Sequence, residues 1–390
     1  MEKETTTQSY EIQQLVDTGI TISQLPKLIE QMYNANQNLF IWGFMGLGKT
    51  QTIEQFVAKK RKTNPNFGYV YLPLASMLPE DLTGTPMPYK DENGMNRTAY
   101  AIPKMLPVDP DSEGVIVCDE FNNSLPSVQN ACQQMIQERR IGDYIVPKGW
   151  WIVAMGNQTG VNAYSNEIQA PVKDRFAHIY LKPSSDNWVD YILGLETTQE
   201  NDSPFFNEMT PSQIKTLTAG FIKTHPELLL DEQEYNRNSY TFATPRSWER
   251  FIKLYSANLN ATKSEFKRFA NMYLGKEIAN LLADYFENSS RYQDPTEILI
   301  DGKPFRENKD LASFMGTLVG CISQVAQADK DIRKQQLDNL FNAGFKLPSV
   351  DWQVILAKMV KNKSVLKPYI DAQHYIKIAM LVNEKQEQNL

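Results

Sequence analysis

Five short runs in the first half of the chain are almost continuously apolar: residues 38–43, 69–75, 115–119, 151–156 and 177–181. They do not alternate between apolar and polar positions. Strands covered on both faces read this way, and such strands belong to parallel sheets. Helical patterns lie between them, clearest over 127–139, where Val128, Cys132, Met135 and Ile136 share one face. The alternation predicts an α/β domain over residues 25–183, preceded by a polar segment, 1–24. After Pro183 the strand pattern stops. Helices are predicted over 188–195, 211–224 and 244–259, with a polar loop at 197–207. A second polar stretch, 287–309, precedes a last helical block. There Leu311, Phe314, Leu318, Ile322 and Val325 recur at helical spacing, as do Trp352, Ile355, Leu356 and Met359. Stripes of this kind are packing faces.

Composition narrows the classes. A chain of 390 residues, 42% hydrophobic and 22% charged, buries a sizeable core in two or three globular domains. No apolar run approaches the roughly 18 residues of a membrane helix. The start of the chain lacks the basic-then-apolar order of a signal peptide. Cys118, Cys132 and Cys321 are scattered and odd in number, which argues for small buried hydrophobes, not a disulfide framework. Together these features point to a cytoplasmic protein with no membrane partner. A net charge of −6 gives no electrostatic reason to expect duplex DNA as the main ligand, although a local basic channel remains compatible with it.

Two stretches carry chemistry. GFMGLGKT, Gly43 to Thr50, stands between an apolar run and a helical pattern at 51–62. Two glycines, a lysine and a Ser/Thr in this register arise by chance in on the order of one chain in a hundred. The context is also the one the chemistry requires. Backbone N–H groups from Phe44, Met45, Gly46, Leu47, Gly48 and Lys49 would face a β-phosphate, and the helix start adds positive dipole. Lys49 would neutralise the β- and γ-phosphates of ATP, with Gln51 just beyond the loop, and the Thr50 hydroxyl would reach Mg²⁺. GVIVCDEFNN, residues 114–123, is a buried run ending in two adjacent carboxylates. Side chains alternate along a strand, so the two cannot do one job. Asp119 would face Mg²⁺, directly or through water, and Glu120 would orient and deprotonate the attacking water.

With these two stretches in order, the chain resembles the AAA+ ATPases and, within them, the MoxR-like, dynein-related branch, from about residue 37 to 248. LPEDLTGTP (78–86) is similar to that branch's segment after the second strand, and 83–107 to its insertion in the second helix. Residues 128–160 resemble its helix, hairpin and fourth strand. Asn157 takes the place of a first sensor, Arg175 in APVKDRFAHIYL that of an arginine finger, and Arg246 in ATPRSW that of a second sensor. The resemblance implies a P-loop core with a five-stranded parallel sheet sandwiched by helices, an α-helical lid over 184–275 and a helical extension over 276–390. It also implies a homo-oligomeric ring, commonly a hexamer, with ATP at subunit interfaces. The implied activity is ATP hydrolysis coupled to remodelling or assembly of a client protein, in some relatives one with a von Willebrand factor A domain.

The residue types suit those roles. An amide at Asn157 can hold the attacking water or the γ-phosphate, and a planar guanidinium at Arg175 suits charge spread over a transferring phosphoryl group. Arg246 opens a helix in the lid region, where it would reach a γ-phosphate from that side. Arg139 and Arg140 fit either a role between subunits or a solvated pair. The three histidines, His178, His225 and His374, lack the spacing of a metal site and read as structural. The segments 142–148 and 89–100, with Tyr89, Met95 and Tyr100, would grip a partner or simply pack. Two other readings stand beside the remodeller: a nucleic-acid motor, and a defence- or phage-system module acting as an ATP switch. The run Met155-Gly156-Asn157-Gln158-Thr159 departs from the Met-Asn-Thr of the GTP-driven motors of this branch, which weakens a GTP reading.

Overall fold

The computed structural model describes residues 16, 18–157, 168, 170–193, 203–206, 209–237, 239–288, 293–306, 311–377 and 379–380. Ten strands occur among them. In chain order they are β1 (Ile20–Thr21), β2 (Leu39–Gly43), β3 (Gly68–Pro73), β4 (Thr85–Lys90), β5 (Asn96–Ala101), β6 (Glu113–Asp119), β7 (Arg140–Ile141), β8 (Tyr144–Ile145), β9 (Gly149–Gly156) and β10 (Ala177–Lys182). Six of them form one parallel sheet, ordered β1-β10-β2-β9-β6-β3. The five strands expected from the apolar runs are all present, within two residues at each end. The sixth, β1, lies in the stretch read as a polar N-terminal segment. It pairs Ile20 with Leu181, and two residues are too few to leave a periodic signal.

Burial on both faces explains the unbroken apolar pattern of β2, β6, β9 and β10, whereas β3, at the sheet edge, leaves Tyr71 exposed. On one face Phe40, Trp42, Ile116, Phe121, Trp150 and Phe176 pack into a single cluster, with Phe40 stacked on Trp42 at 4.2 Å between centroids. On the other, Trp151 meets Tyr33 and Phe56, and its indole N–H donates to the Gln37 carbonyl at 2.7 Å. The hydrogen-bond partners of His178 fix its state. Trp42 Nε1–H donates to Nδ1 at 3.0 Å, so Nε2 carries the proton and donates to the Lys173 carbonyl at 2.8 Å. Full burial pushes this imidazole down to about 3, and it is neutral. The structural reading of His178 therefore fits its surroundings. All three cysteines are free and buried.

Two antiparallel hairpins interrupt the α/β order. In the one formed by β4 and β5 nearly every residue is exposed, including Tyr89, Met95 and Tyr100. The small one formed by β7 and β8 turns at Gly142. Beyond the sheet, helices Pro245–Ala257 and Lys263–Leu274 bury Phe251, Tyr255, Phe266 and Phe269. Thr244 and Thr262 begin them as capping-box residues, each satisfying N–H groups that a helix start leaves open.

The chain divides into two compact units: Met1–Asn207 with Leu229–Ala279, and Glu208–Leu228 with Asn280–Leu390. Helix Pro211–Thr224, inside the span expected to form a lid, thus belongs with the C-terminal unit. It lies against helix Leu311–Gln327. The two backbones approach so closely that a Cβ on Gly220 would stand 3.1 Å from the Gly316 nitrogen. Among the described residues no helix is long and apolar enough to cross a membrane.

Candidate active site

In a parallel sheet the carboxyl ends of all strands point one way, and the loops leaving them form a common rim. Here β2 stands between β9 and β10, while the next strand in sequence, β3, lies at the far edge beyond β6. The crevice created by that reversal is where the conspicuous motifs meet.

Residues 44–48 join β2 to the helix Lys49–Arg61. Gly46 and Gly48 have φ of 77° and 85°, left-handed values that strain any residue with a Cβ, so the loop needs glycine at both. No acceptor among the described residues meets the backbone N–H groups of Met45, Gly46, Leu47 or Gly48. Lys49 is only 8% exposed. Its ammonium donates to the carbonyls of Gly43 at 2.7 Å and Phe44 at 3.0 Å, and to Asn157 Oδ1 at 3.1 Å. Burial pushes it down to about 8, while the Asp119 carboxylate pulls the other way.

Asp119 closes β6 and gathers donors. Thr50 Oγ1 donates to its Oδ2 at 3.2 Å, Tyr71 hydroxyl to the same oxygen at 2.9 Å, and Glu120 N–H to Oδ1 at 2.8 Å. The Tyr71 phenol is pushed up to about 12 by burial first and then by its bond to Asp119, so it acts as a donor. Glu120 sits at φ 53° and ψ 36°, a conformation rare without a glycine. The twist takes Glu120 out of the strand and into a turn, Phe121–Asn123, pinned by the buried Phe121. The two neighbouring carboxylates are therefore separated by backbone conformation as well as by strand alternation.

Asn157 follows β9, which pairs directly with β2, and this adjacency brings its amide to Lys49. Asn122, fully buried, holds the Asn157 backbone from the other side. Its Nδ2 donates to the Asn157 carbonyl at 2.9 Å, and its Oδ1 accepts from the Asn157 N–H at 3.1 Å. Neither Tyr71 nor Asn122 was marked by the sequence. For Asn122 the signal was its place two residues after the carboxylate pair, which no spacing rule turns into a role. For Tyr71 there was none beyond its strand.

Arg175 and Arg246 lie in a second cluster, and no hydrogen bond or ion pair among the described residues joins them to Lys49, Thr50 or Asp119. Arg175 is 7% exposed, donates from Nη2 to Gln137 Oε1, and leaves Nε and Nη1 without an acceptor. Burial first, then the charge of Arg246, press its guanidinium below its usual range. Asp174 does not pair with the adjacent Arg175. It takes Arg246 Nη1 at 2.6 Å and the Thr244 hydroxyl at 2.7 Å, while its backbone carbonyl takes Arg250 Nη1 at 3.0 Å. Asp174 is thus the anchor for the first turns of helix Pro245–Ala257.

A cavity of about 220 Å³ flanks the loop, lined by Ile22, Pro26, Gly48, Gln51, Gln55 and Tyr191. Open N–H donors on a glycine loop, a buried ammonium and this cavity fit a nucleotide. The Thr50 hydroxyl and the Asp119 carboxylate are hard oxygen donors of the kind Mg²⁺ prefers. In the other unit His374 lies beside Asp338 and Asp371, acidic company that spacing had not revealed. Lys334 already bridges both carboxylates, at 3.1 and 3.3 Å.

No family model and no curated protein matches the chain. Solved structures resemble it at low identity. A candidate ATPase from Cytophaga hutchinsonii is 17% identical over 72% of this chain and 87% of its own, with a TM-score of 0.38. A full-length MCM homolog from Methanopyrus kandleri is 15% identical over 66% and 52%, with a TM-score of 0.34. NtrX from Brucella abortus is 13% identical over 93% and 69%, with a TM-score of 0.29. Scores this low carry no conclusion about activity, which rests on the site's own chemistry.

Proposed function

We propose that this chain is an ATP hydrolase of the AAA+ class that works as a ring and remodels or assembles a partner protein. The observation that carries the hydrolase reading is the bonded set Lys49–Asn157 and Thr50–Asp119, at the carboxyl ends of parallel strands β2, β9 and β6. A phosphate-cradling loop alone serves sensors and switches as well. Here a carboxylate for the metal and a separate carboxylate for the water accompany it.

In this reading the loop N–H groups and Lys49 bind the β- and γ-phosphates, and the cavity beside Gln51 and Tyr191 takes the base. Thr50 and Asp119 would hold Mg²⁺, which would supply positive charge to the bound nucleotide. Glu120 accepts a proton from the water as the water oxygen bonds to the γ-phosphorus. The bond from that phosphorus to the bridging oxygen breaks, leaving ADP and inorganic phosphate. Asn157, fixed by its backbone and in contact with Lys49, orients the γ-phosphate or the water. Arg175 makes no hydrogen bond to Lys49, Thr50 or Asp119 of its own chain, but it is buried and bonded to Gln137, so serving a neighbouring subunit as a finger requires its release from that contact. Arg246 is bound to Asp174, so a sensor role for it requires that ion pair to exchange.

Titration calorimetry with MgATP tests the reading. Lys49→Ala keeps the N–H donors but loses the point charge, and most of the affinity should go with it. Binding by the variant at wild-type strength would contradict the phosphate site.

A further inference from the structure

The ladder between β6 and β9 ends at Cys118 opposite Ala154. Beyond it the two strands no longer pair with each other: Asp119 pairs with Pro73 of β3 before the chain turns at Glu120, and Met155 and Gly156 pair with Ile41 and Trp42 of β2 before Asn157. Among the described residues no backbone hydrogen bond ties Glu120 to Asn157. Asn122 links the two segments with its side chain. One carboxamide gives a donor to the Asn157 carbonyl at 2.9 Å and an acceptor to its N–H at 3.1 Å, so both backbone groups of a single residue are satisfied by one side chain. The room for it comes from Gly156, where a Cβ would stand 2.8 Å from Asn122 Oδ1.

The carboxamide belongs to the short turn that follows Glu120. Glu120 N–H is fixed on Asp119, Asn123 N–H bonds back to the Glu120 carbonyl at 2.9 Å, and the Ser124 hydroxyl closes on the Phe121 carbonyl at 2.7 Å. The turn that aims the carboxylate and the strand end that aims the amide therefore share one buried rivet. Asn157 in turn holds Lys49. We infer that Asn122 is a positioning residue: it sets the Asn157 side chain against the phosphate loop and keeps it in register with Glu120. The inference rests on the hydrolase reading above and deepens it, because it assigns the relative placement of base and sensor to a group that touches neither substrate nor metal.

A residue that only filled space would give a different pattern from one that positions. Asn122→Ala removes both bonds, and Asn122→Asp keeps the shape but cannot donate to the Asn157 carbonyl, so a poorly folding alanine variant leaves the aspartate variant to decide. Two readouts are needed on the full chain. Hydrogen exchange without nucleotide reads the clamp itself: the Asn157 amide should exchange at least about tenfold faster in both variants if the rivet holds it, with the β2–β9 ladder unchanged. Steady-state hydrolysis of MgATP reads the consequence: kcat should fall at least about tenfold while KM stays within about threefold, since alignment and not phosphate binding is lost. Unchanged exchange at Asn157 overturns the clamp. Faster exchange with unchanged kcat reduces Asn122 to a structural role and overturns the inference, while the hydrolase reading stands. Wild-type protein that hydrolyses no ATP overturns that reading and the catalytic half of the inference with it, and exchange at Asn157 still decides whether Asn122 holds that backbone.

Discussion

At the scale of single residues, burial sets two charges and each has a pH signature. The Lys49 ammonium is brought to about 8 by burial. Bound phosphates favour the protonated form, so binding takes up no proton well below pH 8 and about one proton above it. MgATP affinity should be flat toward neutral pH and weaken by up to about tenfold per unit above pH 8. Calorimetry at pH 9 in two buffers of different ionisation enthalpy reports the uptake directly, and its absence would show Lys49 to be charged throughout. His178 has the opposite consequence for stability. Its folded value, about 3, lies below the ordinary 6.5, so the unfolded chain binds the extra proton and stability falls as pH drops below 6.5. Between pH 7 and pH 5 that loss is about 2 kcal/mol. Urea unfolding at the two pH values should show a drop smaller by about that amount in His178→Asn. Equal drops in both proteins would mean that His178 is not held neutral.

At the scale of elements, one carboxylate fastens the helix Pro245–Ala257 to the segment that carries Arg175. Asp174 is largely buried, and without it Arg246 and the neighbouring guanidiniums lose their counter-charge and the Thr244 hydroxyl loses its acceptor. Arg246 is 47% exposed, so solvent recovers part of the loss, and Asp174→Ala should cost about 2 kcal/mol in urea unfolding. A change inside the range of an ordinary surface substitution would show the anchor to be idle. Elements were also where the sequence was most informative. Four of the five long strands announced themselves because they are buried on both faces, while β3, at the sheet edge with Tyr71 exposed, did so by composition alone, and the loop and carboxylate motifs could be placed on them. Lys49 and Thr50 were legible because the chemistry dictates their spacing within one loop, and Asp119 because a carboxylate pair closes a buried run. Asn122, Tyr71 and the Asp174 anchor were not, because each acts on a residue dozens of positions away. Asn122 reaches Asn157 only because β6 and β9 are neighbours, and single-sequence periodicity does not state strand order. The short strand β1 escaped for lack of length.

At the scale of the molecule, the division into two units cuts across the expected boundaries, because helix Pro211–Thr224 finds its apolar partners in the C-terminal unit. That unit has its own core, including Leu318, Ile322, Leu340 and Phe341, and carries none of the nucleotide chemistry. A shared active site between subunits is a claim about the assembly. Arg175→Ala should slow hydrolysis by on the order of 10³-fold, and Glu120→Gln should be similarly inactive alone. Mixing the two should restore part of the rate, because some intact pockets then face intact fingers. No recovery at any ratio, with mixed assembly confirmed by differently tagged subunits and repeated with few Glu120→Gln subunits per ring, would count against Arg175 acting in trans.

The claim beneath all of these is that this chain binds ATP at one set of residues and cleaves it with another. Glu120→Gln separates the two most directly, since the amide keeps the shape of the side chain but cannot take the proton of the attacking water. MgATP binding and turnover should be measured on the same preparation. The variant should bind MgATP at wild-type affinity and hydrolyse it at least about tenfold more slowly. Turnover by the variant near the wild-type rate would contradict that claim.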